Sequence, residues 1–216
     1  MSHTITRIEA QKKRKQRYSL FAGDTFVLGI SLDTLNRHQI SVGTVLDEKL
    51  LQTLKRSEES FQLREQAFRL LARRAHSRRE LRDKLRLRSH DPDLIDQLIE
   101  DFSERKYLDD SRFACSFIEE ELRMRLSGPA LIRDKLRQKG IAPEKINQFL
   151  TELYPPELQA KNCRSLTLKK IKPWPVPVDR KRLTQLSGYL HNKGFSWDII
   201  QPTIADIIGE DSYGET

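Results

Sequence analysis

Cysteine is nearly absent from this chain. Only Cys115 and Cys163 occur in 216 residues, with no CxxC spacing and no histidine beside either. Two isolated thiols exclude a disulfide framework or thiolate metal site and fit a reducing compartment. No run of about 18 apolar residues occurs, so no membrane-spanning helix is expected. The basic first residues have no apolar stretch behind them, so no secretory signal is expected, and the protein is read as cytoplasmic. The five histidines are scattered, with no i, i+4 pair on an expected helix, so neither a metal nor another cofactor is expected. No convergent set of acids or metal ligands offers catalysis, so the chain is read as a non-enzyme. Aromatic residues make up 7% and are not interleaved with the basic runs, which argues against base stacking. The 37% hydrophobic content is below the usual ~45–50%. A core that thin suits small stacked units better than one thick globule.

Charge is what the chain has in excess. Charged residues reach 32% and the net charge is +8, which favours a polyanion or an acidic protein surface as partner. From Arg64 to Arg88 there are ten Lys/Arg against three Asp/Glu. From Ser196 to Thr216 there are five acids and no Lys or Arg.

A pentapeptide also recurs. Arg82-Asp83-Lys84-Leu85-Arg86 reappears as Arg133-Asp134-Lys135-Leu136-Arg137, 51 positions on. At the same offset Ile95, Leu98, Ile99 and Phe102 map onto Ile146, Phe149, Leu150 and Leu153. A third copy follows after a further 54 residues at Ile200, Thr203, Ile204 and Ile207. A period near 50 marks an array of one helical unit, and arrays offer extended surfaces rather than a single pocket.

Local signals place the elements. Tyr18 to Phe21 and Thr25 to Ile30 read as strands around an Ala22-Gly23-Asp24 turn, with a weak third strand near Thr4 to Ile8. Ser31 caps a short helix carrying Leu32 and Leu35 on one face. Thr44 to His76 is largely helical, with a possible break near Ser57. Ser77 with Glu80 forms a capping box. Asp91-Pro92, Asp109 with Asp110 and Ser111, Ser127-Gly128-Pro129 and Pro143 mark further helix starts, and Gly140 and Gly194 mark stops. The Pro-rich run from Lys172 to Pro177 reads as a stiff connection, and Pro202 is expected to kink the last helix. The fold expected is mainly α: a tandem, elongated and curved array of three three-helix repeats behind a small β-containing segment. The boundaries expected are 1–59 for the β-hairpin and short-helix extension and 60–108, 109–155 and 156–216 for the repeats, the last with the acidic tail.

The segment Lys106-Tyr107-Leu108-Asp109-Asp110-Ser111-Arg112-Phe113-Ala114 resembles the Gly-Tyr-Leu-Asp-Asp-x-x-Phe-Ala signature that joins the first two repeats of RecX regulatory proteins. Ala67 to Leu71, Arg73, Ser77, Glu80, Leu81 and Leu85 match that family's first repeat. Gly128 to Ile132, Leu136 and Lys139-Gly140-Ile141 match its second. Ile5 to Glu9 and Arg17-Tyr18 resemble the β-containing start of some members. Lys106 stands where the family usually has Gly, and Ser89-His90-Asp91 replaces a usual Lys-Gly. The resemblance implies a cytoplasmic modulator of the RecA recombinase. RecX-like proteins bind the RecA–single-stranded-DNA filament in its groove and inhibit its growth, strand exchange, ATP hydrolysis and the co-protease activity behind the SOS response.

The residues divide into contact candidates and scaffold. Arg73, Arg74, Arg78, Arg79, Arg82 and Arg86 form the first contact group, too one-signed for a surface serving solubility alone. Lys12, Lys13, Arg14, Lys15 and Arg17 form a second group, either a charged hairpin edge or a DNA-contacting arm. Tyr107, Leu108, Phe113, Leu85 and Leu136 read as packing anchors of the repeats. Asp109 and Asp110 read as caps rather than a metal pair. Trp174 and Trp197 read as packing residues of the third repeat. The partners expected are the RecA filament and its single-stranded DNA, with no membrane, and the protein is read as a monomer. The alternative is a helix-turn-helix-type module that binds DNA without RecA.

Overall fold

The computed structural model describes residues 3–12, 16–89, 91–173 and 179–212; of residues 210–212 only the backbone is described. The chain is mostly helical, at 66%, with its strands near the N-terminus. It divides into unit 1, residues 1–75 with 81–108, and unit 2, residues 76–80 with 109–216. The expected Pro-rich connection falls largely outside the described residues, as do the last four residues of the acidic end.

Unit 1 begins with β1 (His3–Thr4), β2 (Arg7–Ala10), β3 (Arg17–Ala22) and β4 (Thr25–Ser31). β2, β3 and β4 form an antiparallel three-stranded sheet in that order. Gly23 opens the two-residue β3–β4 turn at φ +60°, where a side chain would be strained. α1 (Leu32–Arg37) follows, and Ser31 caps it by accepting from Thr34 N. β5 (Val45–Leu46) then returns to pair with β1, a pairing absent from the sequence reading.

α2 runs unbroken from Glu48 to Leu71 behind an Asp47 cap, which corrects the expected break near Ser57. Ser57 does not compete with the helix, because its hydroxyl lies 2.7 Å from His38 Nε2. The long α2 serves two cores. Leu54 joins Ile5, Leu20, Ile30, Ile40 and Leu46 beneath the sheet. One end of the helix further on, Leu63 and Ala67 join Leu81 and Leu85 of α3 (Arg78–Arg86) and Leu94, Ile95, Leu98, Ile99 and Phe102 of α4 (Pro92–Glu104). A sheet this small needs such helical support.

Unit 2 contains two helix triplets on one apolar core. The first comprises α5 (Asp110–Glu120), α6 (Pro129–Gln138) and α7 (Pro143–Leu153). The second comprises α8 (Pro156–Ile171), α9 (Arg180–Asn192) and α10 (Trp197–Ser212). Phe113, Ile118, Ile132, Leu136, Ile146 and Tyr154 pack with Cys163, Leu186, Leu190, Phe195 and Ile200. α5 widens at its end into a π-helical turn, Glu121–Arg125, closed by Leu126 at φ 51°. α10 continues through Pro202 to Ser212; one missing donor does not end the helix.

Candidate polyanion interface

The repeated pentapeptide does the same structural work in both copies. In unit 1, Arg82 Nε donates to Asp96 Oδ1 on α4 at 2.7 Å. In unit 2, Arg133 Nε donates to Asn147 Oδ1 on α7 at 3.3 Å, the same 14-residue step. Arg86 pairs with Asp83 at 3.8 Å, and Arg137 with Asp134 at the same distance. Leu85 and Leu136 are fully buried. The repeated residues thus hold the second helix of each triplet onto the third. Of the contact candidates named from the sequence, Arg82 is committed to that task and Arg86 to a pair within α3.

The copies differ around it. Arg73, Arg78 and Arg79 correspond, 51 positions on, to Met124, Pro129 and Ala130. Arg74 corresponds to Arg125. Arg73, Arg74 and Arg79 are exposed and Arg78 is half-buried. Arg73 and Arg74 belong to unit 1, Arg78 and Arg79 to unit 2. Arg74 Nη1 donates to Ala75 O at 2.8 Å.

Arg17 requires a correction. It is not an exposed arm residue: its side chain is 15% accessible and its Nη1 lies 2.5 Å from Oε1 of Glu58, itself 6% accessible. Glu58 also accepts from Ser31 N at 2.7 Å and Gln62 Nε2 at 2.9 Å. Burial alone would raise the Glu58 pKa, but the bonds from Gln62 and Ser31 and the Arg17 charge outweigh it and hold it below the ordinary value. The reason for the error is distance: Arg17 meets a partner 41 residues away. Lys12 is exposed; Lys13, Arg14 and Lys15 lie outside the described residues.

The acids after Tyr107 cap two different helices. Asp109 accepts from Ser111 N and Arg112 N at the start of α5. Asp110 accepts from Arg78 N at 2.9 Å, in the first turn of α3. Ser77 takes Glu80 N at 3.1 Å, as its spacing indicates, and its hydroxyl donates to Lys139 O at 2.7 Å. Lys139 Nζ reaches Glu80 Oε1 at 2.5 Å.

The next triplet makes the same joint through backbone alone. Gly128 N, at the position of Ser77, donates to Lys193 O at 2.7 Å, and Ala130 N donates to Gly194 O at 3.1 Å. Gly140 and Gly194 both close their helices with positive φ, +81° and +93°. The Arg79 stem lies over Gly140, whereas Gly194 meets backbone. A further network has no sequence signature: buried Glu121 accepts from Lys135 Nζ and Ser127 Oγ, each at 2.7 Å, and from Arg125. Burial opposes its ionisation, but these donors hold its pKa below the ordinary value.

Among the expected anchors, Leu108 and Phe113 are buried, but Tyr107 is 50% exposed. It leans edge-on against Phe68 instead of filling the core. Trp197 is likewise exposed and stacks on His191; Trp174 is outside the described residues. No described helix is long and apolar enough to cross a membrane.

Comparison with known proteins converges on one family. Residues 3–47 match the regulatory protein RecX N-terminal domain. Residues 64–102 match the RecX first three-helix domain and residues 109–150 the second. The chain is 28% identical over 211 residues to a regulatory protein RecX of Clostridium botulinum, covering 97% of this chain and 98% of that one. It is 28% identical over 205 residues to one of Oceanobacillus iheyensis, covering 93% and 75%. A crystal structure of a regulatory protein RecX superposes with TM-score 0.71 at 26% identity, covering 96% of this chain and 98% of that one. The RecX structure from Lactobacillus salivarius gives 0.62 at 25%, covering 70% and 97%. With three domain models in chain order over more than half of its length, this chain belongs to the RecX family of regulatory proteins.

Proposed function

We propose that this protein is a non-catalytic, cytoplasmic modulator of RecA that binds, as a monomer, the filament RecA forms on single-stranded DNA. In this reading it inhibits ATP hydrolysis, strand exchange and co-protease activity, and so restrains the SOS response. Family membership directs the reading to RecA. The observation that carries the site is the charge difference between two triplets built alike: Arg73, Arg78 and Arg79 stand where the second copy has Met124, Pro129 and Ala130. Residues used for scaffold recur in both copies, so a charge that appears in one copy alone is the feature we assign to recognition. Arginine suits phosphate and carboxylate recognition because its planar fork donates two parallel bonds. Arg78 and Arg79, both in unit 2, are the primary contact residues; Arg73, Arg74, Arg82 and Arg86 are further candidates, and Lys12 to Lys15 form a second arm.

The test is RecA-dependent ATPase on single-stranded DNA, titrated with this protein at low and moderate salt. Dose-dependent inhibition that weakens as salt rises is expected for a cationic contact surface. Unchanged ATPase at both salts would contradict the reading. Tight, sequence-specific duplex binding without RecA in a gel shift would support the direct DNA-binding alternative.

A further inference from the structure

Unit 1 holds a second cationic feature that uses none of the α3 arginines, and it includes two exposed aromatic residues. Phe68, Phe102 and Tyr107 form a three-ring cluster, with centroids 4.8 Å apart for Phe68–Phe102, 5.3 Å for Phe68–Tyr107 and 5.4 Å for Phe102–Tyr107. Phe102 is its buried floor, while Phe68 and Tyr107 are 41% and 50% exposed. An exposed aromatic pair is not needed to complete the core beneath it. The pair is held by the end of α4: Tyr107 N donates to Phe102 O at 2.8 Å, and Leu108 N to the same oxygen at 3.0 Å.

A cation lies against the floor of the cluster. The Arg64 guanidinium lies 5.7 Å from the Phe102 ring centre. Arg64 also lines a surface cavity of about 280 Å³ with Arg37, Arg105, Ser60, Phe61 and Asp33. Asp101 fixes two of these arginines, taking Arg64 Nη1 at 2.9 Å and Arg105 Nε at 2.7 Å, and Asp33 takes Arg37 Nη2 at 2.9 Å. Three guanidiniums against two carboxylates leave a net positive cavity with oriented donors. Lys106, exposed beside Tyr107, adopts φ 61°. Glycine takes that conformation without cost and lysine does not. The backbone strain is thus held at the residue that precedes Tyr107.

We propose that unit 1 carries a subsite for single-stranded nucleic acid, in which the Arg37, Arg64 and Arg105 cavity takes a backbone phosphate and the Phe68–Tyr107 pair stacks an adjoining base. Arg64 belongs to both halves, so the two are neighbours, as a phosphate and its base are. The exposed rings favour a nucleic acid over an acidic peptide: a carboxylate chain would use the arginines and leave the rings idle, whereas every base has a π-face to stack. The sequence could not show this, because Phe68 and Tyr107 are 39 positions apart and Arg37, Arg64 and Arg105 come from the end of α1, from α2 and from the end of α4. The inference rests on the reading that single-stranded DNA is part of the partner, and it adds a base contact that the α3 arginines do not supply.

The experiment is fluorescence anisotropy with the full chain, without RecA. One probe is a labelled oligothymidylate; the other is an abasic phosphodeoxyribose strand of equal length. The base-bearing strand is expected to bind about tenfold more tightly, the scale of one stacked base. Tyr107→Leu is expected to abolish that preference and Tyr107→Phe to retain it, with circular dichroism showing both variants folded. Arg105→Gln is expected to weaken both strands alike. Equal binding of the two strands, a preference that survives Tyr107→Leu, or equal displacement of either strand by polyglutamate would overturn the subsite. The two readings fail separately. A protein that inhibits RecA but binds both strands equally contradicts the subsite alone. One that leaves RecA unaffected yet prefers the base-bearing strand supports the subsite and contradicts the proposed function.

Discussion

Gly128→Ala isolates the joint between the two triplets of unit 2. The backbone there is ordinary, with φ −74°, so alanine meets no conformational strain. What it meets is backbone: its Cβ would lie 2.3 Å from Gly194 C, 2.4 Å from Gly194 O and 2.5 Å from Phe195 N. None of these atoms can swing aside as a side-chain end would. Relief requires separating α6 from the α9–α10 turn, which strains the bonds Gly128 N to Lys193 O and Ala130 N to Gly194 O. Overpacking costs about 1–3 kcal/mol, and each weakened backbone bond about 1 kcal/mol. A destabilisation of about 3 kcal/mol is therefore expected. Gly188→Ala is the control. It lies inside α9 with nothing within 4 Å of its would-be Cβ, so helix propensity alone acts and alanine stabilises by about 0.5–1 kcal/mol. Urea unfolding followed by circular dichroism reads both as midpoint shifts at constant slope. If Gly128→Ala moves the midpoint no more than Gly188→Ala, or in the same direction, the close approach is not what joins these helices.

Three other outcomes follow from close-packed or buried groups. Gly194→Ala combines φ +93° with a Cβ 2.4 Å from Leu131 N, so it is expected to cost at least as much as Gly128→Ala. Gly140→Ala, which meets mainly the movable Arg79 stem, is expected to cost less, near the about 1–2 kcal/mol of left-handed strain alone; urea midpoints rank the three. Glu58 keeps a depressed pKa in the folded protein, so its contribution is complete above the ordinary glutamate value of 4.5 and is lost as pH falls through the lower folded value. Glu58→Gln leaves the Arg17 charge buried without its partner and is expected to cost about 3 kcal/mol at neutral pH. It should also flatten the acid limb of a stability-versus-pH curve; an unchanged acid limb would count against this. Burial pushes the Cys163 thiol pKa up, against smaller opposing bonds from Thr203 and Thr167. Cys163 is therefore expected to resist a thiol reagent until unit 2 unfolds, and prompt labelling of Cys163 in the native protein would contradict that burial.

Local features of the fold were legible, because caps, turns and apolar periods lie within a few residues of what they control. Ser31, Asp91, Asp109 and Pro143 mark helix starts, Gly140 and Gly194 mark stops, and the paired leucines of the pentapeptide are core. The misses share one cause. By sequence Arg17 groups with its basic neighbours, but its partner Glu58 is 41 residues on. By position Asp110 belongs to the start of its own helix, but its carboxylate caps α3, 32 residues back. Ser57 looked like a break because serine competes locally with helix; its bond to His38 removes that competition. Tyr107 sits in the signature segment and reads as core, yet only Leu108 of that pair turns inward. At the contact surface, the excess of arginine was visible, but its division into scaffold and non-recurring residues needed the matching contacts of Arg82 with Asp96 and Arg133 with Asn147.

The central claim is that the arginines which do not recur between the triplets carry recognition of the RecA filament. The direct measurement compares two charge-matched variants in the RecA-dependent ATPase on single-stranded DNA. One is Arg78→Glu with Arg79→Glu; the other is Arg133→Glu with Arg137→Glu in the second copy. Each changes the formal charge equally, and circular dichroism checks each fold. The account expects inhibition to fall at least tenfold in potency for the first variant and to stay near that of the unaltered protein for the second. Equal loss in both would reduce the effect to net charge, and full inhibition by the first would remove these arginines from the contact.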